Sequence, residues 1–111
     1  MKIAYMNLGV SDLAESERFY REALGLPAQR EGDEVRVRWP DFLLILSENP
    51  PSARGKFQFG FRVESDAEVD AWAERLRAQN VRIIAGPASI NGARQVFVLD
   101  PDQYEIRIYS E

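Results

Sequence analysis

Apolar and polar side chains alternate along the first ten residues, where Met6, Leu8 and Val10 fall on one side of the chain. A period of two is typical of a strand with one buried face. The next segment has a helical period. Asp12, followed by an acidic residue three positions later, is typical of a helix N-cap, and apolar residues then recur on one face as far as Gly25. The pattern predicts a strand followed by a helix.

Three more strands are predicted after this helix. Segments 26–30 and 34–39 alternate on either side of a turn at 31–33, which is typical of a hairpin. Segment 42–46 is apolar throughout, which favours a strand covered on both faces. The first half of the chain therefore reads as βαβββ.

The second half has the same order of patterns. Segment 57–63 alternates as a strand, Ser65 and Glu68 have the spacing of a capping box, and an apolar stripe follows at helical spacing. Three further strands are predicted at 81–85, 94–99 and 104–109. The second half is therefore also βαβββ.

The two halves match residue by residue near their ends. Residues 8–10 correspond to 61–63 at an offset of 53, and residues 45–48 correspond to 108–111 at an offset of 63. The second half thus has about ten extra residues, which we expect in a loop at 86–94. The prolines and glycine between the halves disfavour helix and strand and predict a linker. The predicted organisation is one domain with a first module at 1–48, a linker at 49–55 and a second module at 56–111.

Composition removes several kinds of chemistry. The 111 residues suit one compact domain, and the chain has neither cysteine nor histidine, which excludes a thiolate nucleophile, an imidazole base and zinc sites built from these residues. The formal net charge of −4 disfavours nucleic-acid and anionic-membrane partners. Because the first residues lack a long apolar run, we expect a cytoplasmic protein with no membrane segment.

Three motifs resemble one known family. Segments 7–13 and 18–26 in the first module, and 96–102 before the last strand, are similar to the vicinal oxygen chelate superfamily, which includes glyoxalases, extradiol dioxygenases and bleomycin-resistance proteins. The resemblance implies an α+β fold. Its two βαβββ modules would form a curved mixed sheet around a concave cavity, with the helices on the convex side. It also implies a homodimer.

The resemblance further implies a divalent metal in the cavity, held by residues at four strand positions. The motif and the repeat offsets place those positions at Tyr5, Leu44, Gln58 and Arg107. None of the four is a good ligand, and a guanidinium has no lone pair and carries positive charge. The sequence therefore predicts a metal-free member of the family without a cofactor.

Polar and aromatic residues on the inward side of the strands form a candidate binding set instead. Arginines on a sheet face can also be solvated or, for Arg107, paired with Glu105, and the two bulky aromatics can instead be core or dimer contacts. The candidate ligand-binding residues are Tyr5, Asn7, Arg36, Arg38, Trp39, Gln58, Arg62, Phe97, Arg107 and Tyr109.

Donors and aromatic rims without a strong base favour binding over catalysis. The first hypothesis is a metal-independent protein that binds a small polar or aromatic ligand, similar to the antibiotic-sequestering bleomycin-resistance proteins. The alternative is a lyase, isomerase or dioxygenase relative with an atypical active site that uses Tyr5, Glu105 and Arg107. A third hypothesis is a filled cavity and a role in protein interaction.

The turn before the last strand departs from the family pattern. It reads Asp-Pro-Asp-Gln, whereas the family usually has glycine at the fourth position. Glycine is common where φ is positive, because it has no Cβ to clash with the backbone. The resemblance therefore predicts a positive φ at Gln103.

Overall fold

Two compact units, Met1–Ser52 and Ala53–Glu111, make up the chain. The structure is a computed structural model that describes residues 1–49 and 57–111. The first unit contains β1 (Tyr5–Val10), α1 (Leu13–Arg18), a π-helical continuation (Phe19–Ala23), β2 (Ala28–Glu31), β3 (Glu34–Trp39) and β4 (Phe42–Glu48). The second contains β5 (Gln58–Arg62), α2 (Asp66–Ala78), β6 (Ile83–Ile90), β7 (Ala93–Leu99) and β8 (Glu105–Ser110). The predicted linker falls outside the described residues except for Asn49.

Each unit has one four-stranded mixed sheet with the same topology. The strand orders are β1-β4-β3-β2 and β5-β8-β7-β6. The β1–β4 and β5–β8 pairs are parallel, and the other neighbours are antiparallel. Two βαβββ units with matching strand order confirm the predicted α+β class.

Both predicted helix starts have the expected caps. Asp12 accepts a hydrogen bond from the backbone N–H of Glu15 at 3.0 Å, and the Ser65 hydroxyl accepts one from the N–H of Glu68 at 3.2 Å. Each cap satisfies a backbone donor that the helix leaves unpaired, which stabilises a helix by about 1 kcal/mol. Within residues 1–49 and 57–111, no helix is long and apolar enough to cross a membrane.

Each helix covers one face of its own sheet. In the second unit Val96, Val98 and Ile106 are fully buried on the face that packs against α2. Burial of such a side chain contributes roughly 1.5–3 kcal/mol. Because side chains alternate along a strand, the residues between these lie on the opposite face, which we call the distal face of each sheet.

The predicted loop at 86–94 is instead mostly strand. β6 continues to Ile90, and the turn to β7 is made by Asn91 and Gly92, whose φ angles are 52° and 83°. The strand accommodates Gly86 and the proline after it because its pairing with β7 shifts register between Ala85 and Ala88. Gly86 has a φ of 84°, and a Cβ there would lie 2.5 Å from a backbone oxygen of β7, so the position requires glycine. The loop prediction was wrong because an edge strand with a bulge tolerates residues that usually end strands.

The turn before β8 has the predicted backbone conformation. Gln103 has a φ of 70°, and its N–H donates to the Asp100 carbonyl at 2.9 Å. The Asp100 carboxylate accepts from the N–H groups of Asp102 and Tyr104, each at 2.9 Å. The carboxylate organises the turn from within, because aspartate readily bonds backbone N–H groups two or more residues ahead.

Candidate ligand-binding site

Five of the predicted binding residues lie together on the distal face of the second sheet. Strand pairing places Gln58 beside Glu105, Phe97 beside Arg107, and Tyr109 beside both Arg62 and Gln95. Paired residues of adjacent strands point to the same face. The predicted members of this group are Gln58, Arg62, Phe97, Arg107 and Tyr109.

Arg107 is held in a defined orientation at the centre of this group. Its Nε donates to Oε1 of Gln95 at 2.8 Å, and its guanidinium carbon lies 4.0 Å from the centre of the Tyr109 ring. Cation–π contact with one ring face and a hydrogen bond on one edge restrict the guanidinium to one plane. Gly60 is its neighbour on β5, and a Cβ there would lie 2.9 Å from the Arg107 backbone oxygen. Within residues 1–49 and 57–111, the terminal nitrogens therefore have no hydrogen-bond partner.

Gln95 was missed by the sequence analysis. It lies two residues before Phe97 on β7, so the alternation of that strand already placed the two on one face. What the sequence did not show is its contact with Arg107. Arginine has only donors, so the glutamine must present its oxygen to it, and its NH₂ group remains a further donor.

The arginines on this face have no acidic partner among residues 57–111. No carboxylate of that segment lies within 4.0 Å of the guanidinium nitrogens of Arg62 or Arg107. Glu105 lies on the same face but does not form the ion pair with Arg107 that was left open as an alternative. Among the described residues, this face thus has two cations and one anion. This local excess of positive charge favours a negatively charged ligand, although the chain as a whole is acidic.

The distal face of the first sheet has arginines that are already neutralised. Arg36 forms an ion pair with Glu34 at 2.9 Å, and Arg38 pairs with Glu31 through both terminal nitrogens. The hydrogen bond from Arg38 holds the pKa of Glu31 below its ordinary value. Because Arg36 and Arg38 already have carboxylate partners, they attract a negatively charged ligand less strongly than unpaired arginines would.

Two other predicted residues, Tyr5 and Asn7, lie on this same face. Tyr5 is 61% exposed, and Asn7 accepts a hydrogen bond from the Ser47 hydroxyl at 3.0 Å. The tyrosine therefore presents its side chain to solvent, whereas the amide oxygen of Asn7 already has a partner in β4.

Trp39 lies apart from the arginines that precede it on β3. Strand alternation puts it on the side of Val35 and Val37, and its ring packs 6.3 Å from that of Phe42. This hairpin end borders a shallow, open depression of about 350 Å³. The depression is lined by Ala4, Arg38, Trp39, Pro40, Asp41, Phe42 and Leu43.

Strand register corrects one of the four metal-ligand positions. Tyr5 pairs with Leu43, and its repeat equivalent Gln58 pairs with Glu105, so β4 and β8 correspond at an offset of 62 and not 63. The counterpart of Arg107 is therefore Ile45. Leu44 is only 2% exposed and lies on the helix side, because a slip of one residue moves a side chain to the other face.

The corrected set does not fit the divalent metal that the resemblance implies. Ile45 has no donor atom, and Arg107 brings a positive charge whose nitrogens donate rather than accept. A divalent cation prefers carboxylate, imidazole or thiolate ligands. In the described segments no group of three or more His, Cys, Asp or Glu residues is placed to hold a metal ion.

One family model matches nearly the whole chain, and solved structures of similar fold were also found. The model of the Glyoxalase/Bleomycin resistance protein/Dioxygenase superfamily matches residues 2–108. A glyoxalase-related enzyme from Fulvimarina pelagi is similar in structure, with a TM-score of 0.86 and 24% identity over 99% of this chain and 88% of that one. Lactoylglutathione lyase from Agrobacterium tumefaciens has a TM-score of 0.81 and 25% identity over 98% and 92%. A hypothetical protein from S. aureus has a TM-score of 0.84 and 21% identity over 99% and 93%. No curated protein matches the chain.

Proposed function

Because the chain belongs to the Glyoxalase/Bleomycin resistance protein/Dioxygenase superfamily, we propose that it is a metal-independent binding protein of the bleomycin-resistance type. Its ligand is a small polar or aromatic molecule held on the distal face of the second sheet. The observation that carries this proposal is Arg107, a fixed cation at a position where the family resemblance implies a metal ligand. We also propose that the protein is cytoplasmic and acts as a homodimer.

The chemistry of the face supports binding. Arg107 and Gln95 supply hydrogen-bond donors, and the rings of Phe97 and Tyr109 supply apolar surface of the kind that lines ligand sites. A sequence without histidine or cysteine has no side chain that ordinarily titrates near neutral pH and no thiolate nucleophile. Arg36 and Arg38 of the first unit are not part of this site, because each already pairs with a carboxylate of its own sheet.

One observation favours the alternative of an enzyme. Glu105 lies on the same face as Arg107 and has no ion-pair partner among the described residues. A carboxylate without an ion-pair partner can act as a general base. A lyase, isomerase or dioxygenase with an atypical site would use this pair.

Native mass spectrometry of the freshly purified protein tests the proposal, since it reports ligand, metal and stoichiometry together. We expect an organic ligand and no stoichiometric transition metal, and we expect Arg107→Gln to lose the ligand. Arg36→Gln is the matched control, because it removes a guanidinium that already has a carboxylate partner. One tightly held metal per chain, or a ligand retained by Arg107→Gln, contradicts the proposal. Conversion of the bound molecule that depends on Glu105 favours the enzyme.

A further inference from the structure

We infer that the ligand is an organic oxyanion, a carboxylate or a phosphate ester, and that Gln95 sets this selectivity by holding Arg107 in place without neutralising it. The inference rests on the proposed function and names the chemical class of its ligand. It follows from a comparison of equivalent positions in the two units.

Glu34 of the first unit is equivalent to Gln95 of the second. Glu34 pairs with Ser47 across β3 and β4, and Gln95 pairs with Tyr109 across β7 and β8. Ser47 and Tyr109 correspond at the offset of 62 set by the strand register. The same place in each sheet therefore has an acid in one unit and its uncharged amide in the other.

Both side chains accept a hydrogen bond from an arginine. Glu34 accepts from Nε and Nη2 of Arg36 at 3.1 and 2.9 Å, and Gln95 accepts from Nε of Arg107 at 2.8 Å. The first contact cancels the arginine's charge, and the second only orients it. The two arginines lie on different strands, but the equivalent positions differ in the same way: the first sheet has an acid that forms an ion pair, and the second has an amide beside a fixed and half-buried cation.

The terminal nitrogens of Arg107 are suited to a planar pair of oxygens. Among the described residues neither has a protein acceptor, because the only hydrogen bond of the side chain is made by Nε. A guanidinium binds a carboxylate or phosphate through two parallel N–H···O bonds. Gly60, the neighbour of Arg107 on β5, contributes no side chain that could cover this edge. A neutral carbonyl would leave the charge of a half-buried cation uncompensated, which is unfavourable.

Three probes with the same ring separate charge from shape: benzoate, phenyl phosphate and benzamide. We expect isothermal titration calorimetry to show that the wild type binds benzoate or phenyl phosphate at least tenfold more tightly than benzamide. Whichever of the two anions binds more tightly shows whether the site prefers a carboxylate or a phosphate ester. The acidic protein would repel anions in general, so such a preference requires a local site.

Gln95→Glu tests the role of the amide directly. The variant keeps the size of the side chain and its bond to Arg107 but adds the charge that Glu34 supplies in the first unit. We expect at least a tenfold loss of oxyanion affinity and less than a twofold change for benzamide. Arg107→Gln should lose the same oxyanion affinity, and Arg36→Gln should leave it unchanged. If Gln95→Glu does not fold, the comparison of Arg107→Gln with Arg36→Gln still tests the inference.

The outcomes separate this inference from the proposed function. Equal binding of benzoate and benzamide, with both lost in Arg107→Gln, would overturn the oxyanion inference and leave the binding protein intact. Undiminished oxyanion affinity in a folded Gln95→Glu would also overturn it. Failure of all three probes, together with an empty protein in native mass spectrometry, would reject the proposed function itself.

Discussion

Replacement of Gln103 by glycine should stabilise this protein, although it removes a side chain. Gln103 has a φ of 70°, a region that residues with a Cβ rarely adopt, and its side chain is exposed. The hydrogen bond of the turn is made by its backbone N–H to the Asp100 carbonyl and would survive the substitution. The change therefore acts on backbone strain and leaves the turn's hydrogen bonds in place.

Two opposing effects determine the magnitude. The left-handed conformation costs a residue with a Cβ about 1–2 kcal/mol, and glycine relieves this cost. Glycine also makes the unfolded chain more flexible, which lowers stability by about 0.5–1 kcal/mol. The net gain should be about 0.5–1 kcal/mol, or roughly 2–6 °C in Tm for a domain of this size.

Urea unfolding followed by circular dichroism measures the effect. The midpoint should rise and the slope of the transition should stay unchanged. Gly32→Ala is the matched control, because Gly32 has a φ of 65° and a Cβ there would have no atom within 4 Å. That variant should lose stability, because the backbone strain it introduces outweighs the lower flexibility of its unfolded chain. A folded Gln103→Gly of equal or lower stability, beside a destabilised Gly32→Ala, would refute the reasoning.

Four further expectations follow from the described contacts. Elemental analysis of the purified protein should find no stoichiometric zinc, nickel, iron or manganese, and about one per chain would contradict this. Sedimentation at micromolar concentration should show a homodimer, because edge strands such as β6 are commonly covered by a second chain, and a monomer would refute it. Arg38→Gln should raise the pKa of Glu31 towards its ordinary value in an NMR titration, because the hydrogen bond from Arg38 lowers that pKa. The ion pair stabilises the fold at pH values above the pKa of Glu31 in the unfolded chain. This stabilisation is lost as the pH falls through the lowered pKa of the folded state. An unchanged pKa would contradict this. Gly60→Ala should lower Tm, because its Cβ would meet the backbone oxygen of Arg107 at 2.9 Å, and an unchanged Tm would show that β8 moves without cost.

Local patterns were sufficient to predict the architecture. The change from a period of two to a helical period located each strand and helix, and the N-caps at Asp12 and Ser65 formed as expected. Periodicity and N-caps depend only on residues that are neighbours along the chain, so they can be recognised in a single sequence. The positive φ of Gln103 was also predictable, because a single position in a known type of turn imposes it.

Features that depend on pairing between strands were less accessible. The match between residues 45–48 and 108–111 placed β4 one residue out of register. It therefore assigned the core residue Leu44, instead of Ile45, to the position equivalent to Arg107. The extension of β6 through Gly86 depends on a shifted pairing with β7. The contact of Gln95 with Arg107 joins neighbouring strands and has no local signal in the sequence.

The equivalence of Glu34 and Gln95 also bears on how a repeated chain can diverge. Codons for glutamate and glutamine differ by a single nucleotide, so one mutation changes the charge at this position without changing the size or hydrogen-bonding reach of the side chain. In one half the acid forms an ion pair with Arg36, and in the other the amide binds Arg107 without supplying a counter-charge. The two halves therefore differ in charge at one position while their strand order stays the same. The same single-nucleotide step at Gln95 gives the Gln95→Glu variant, for which we expect weaker oxyanion binding.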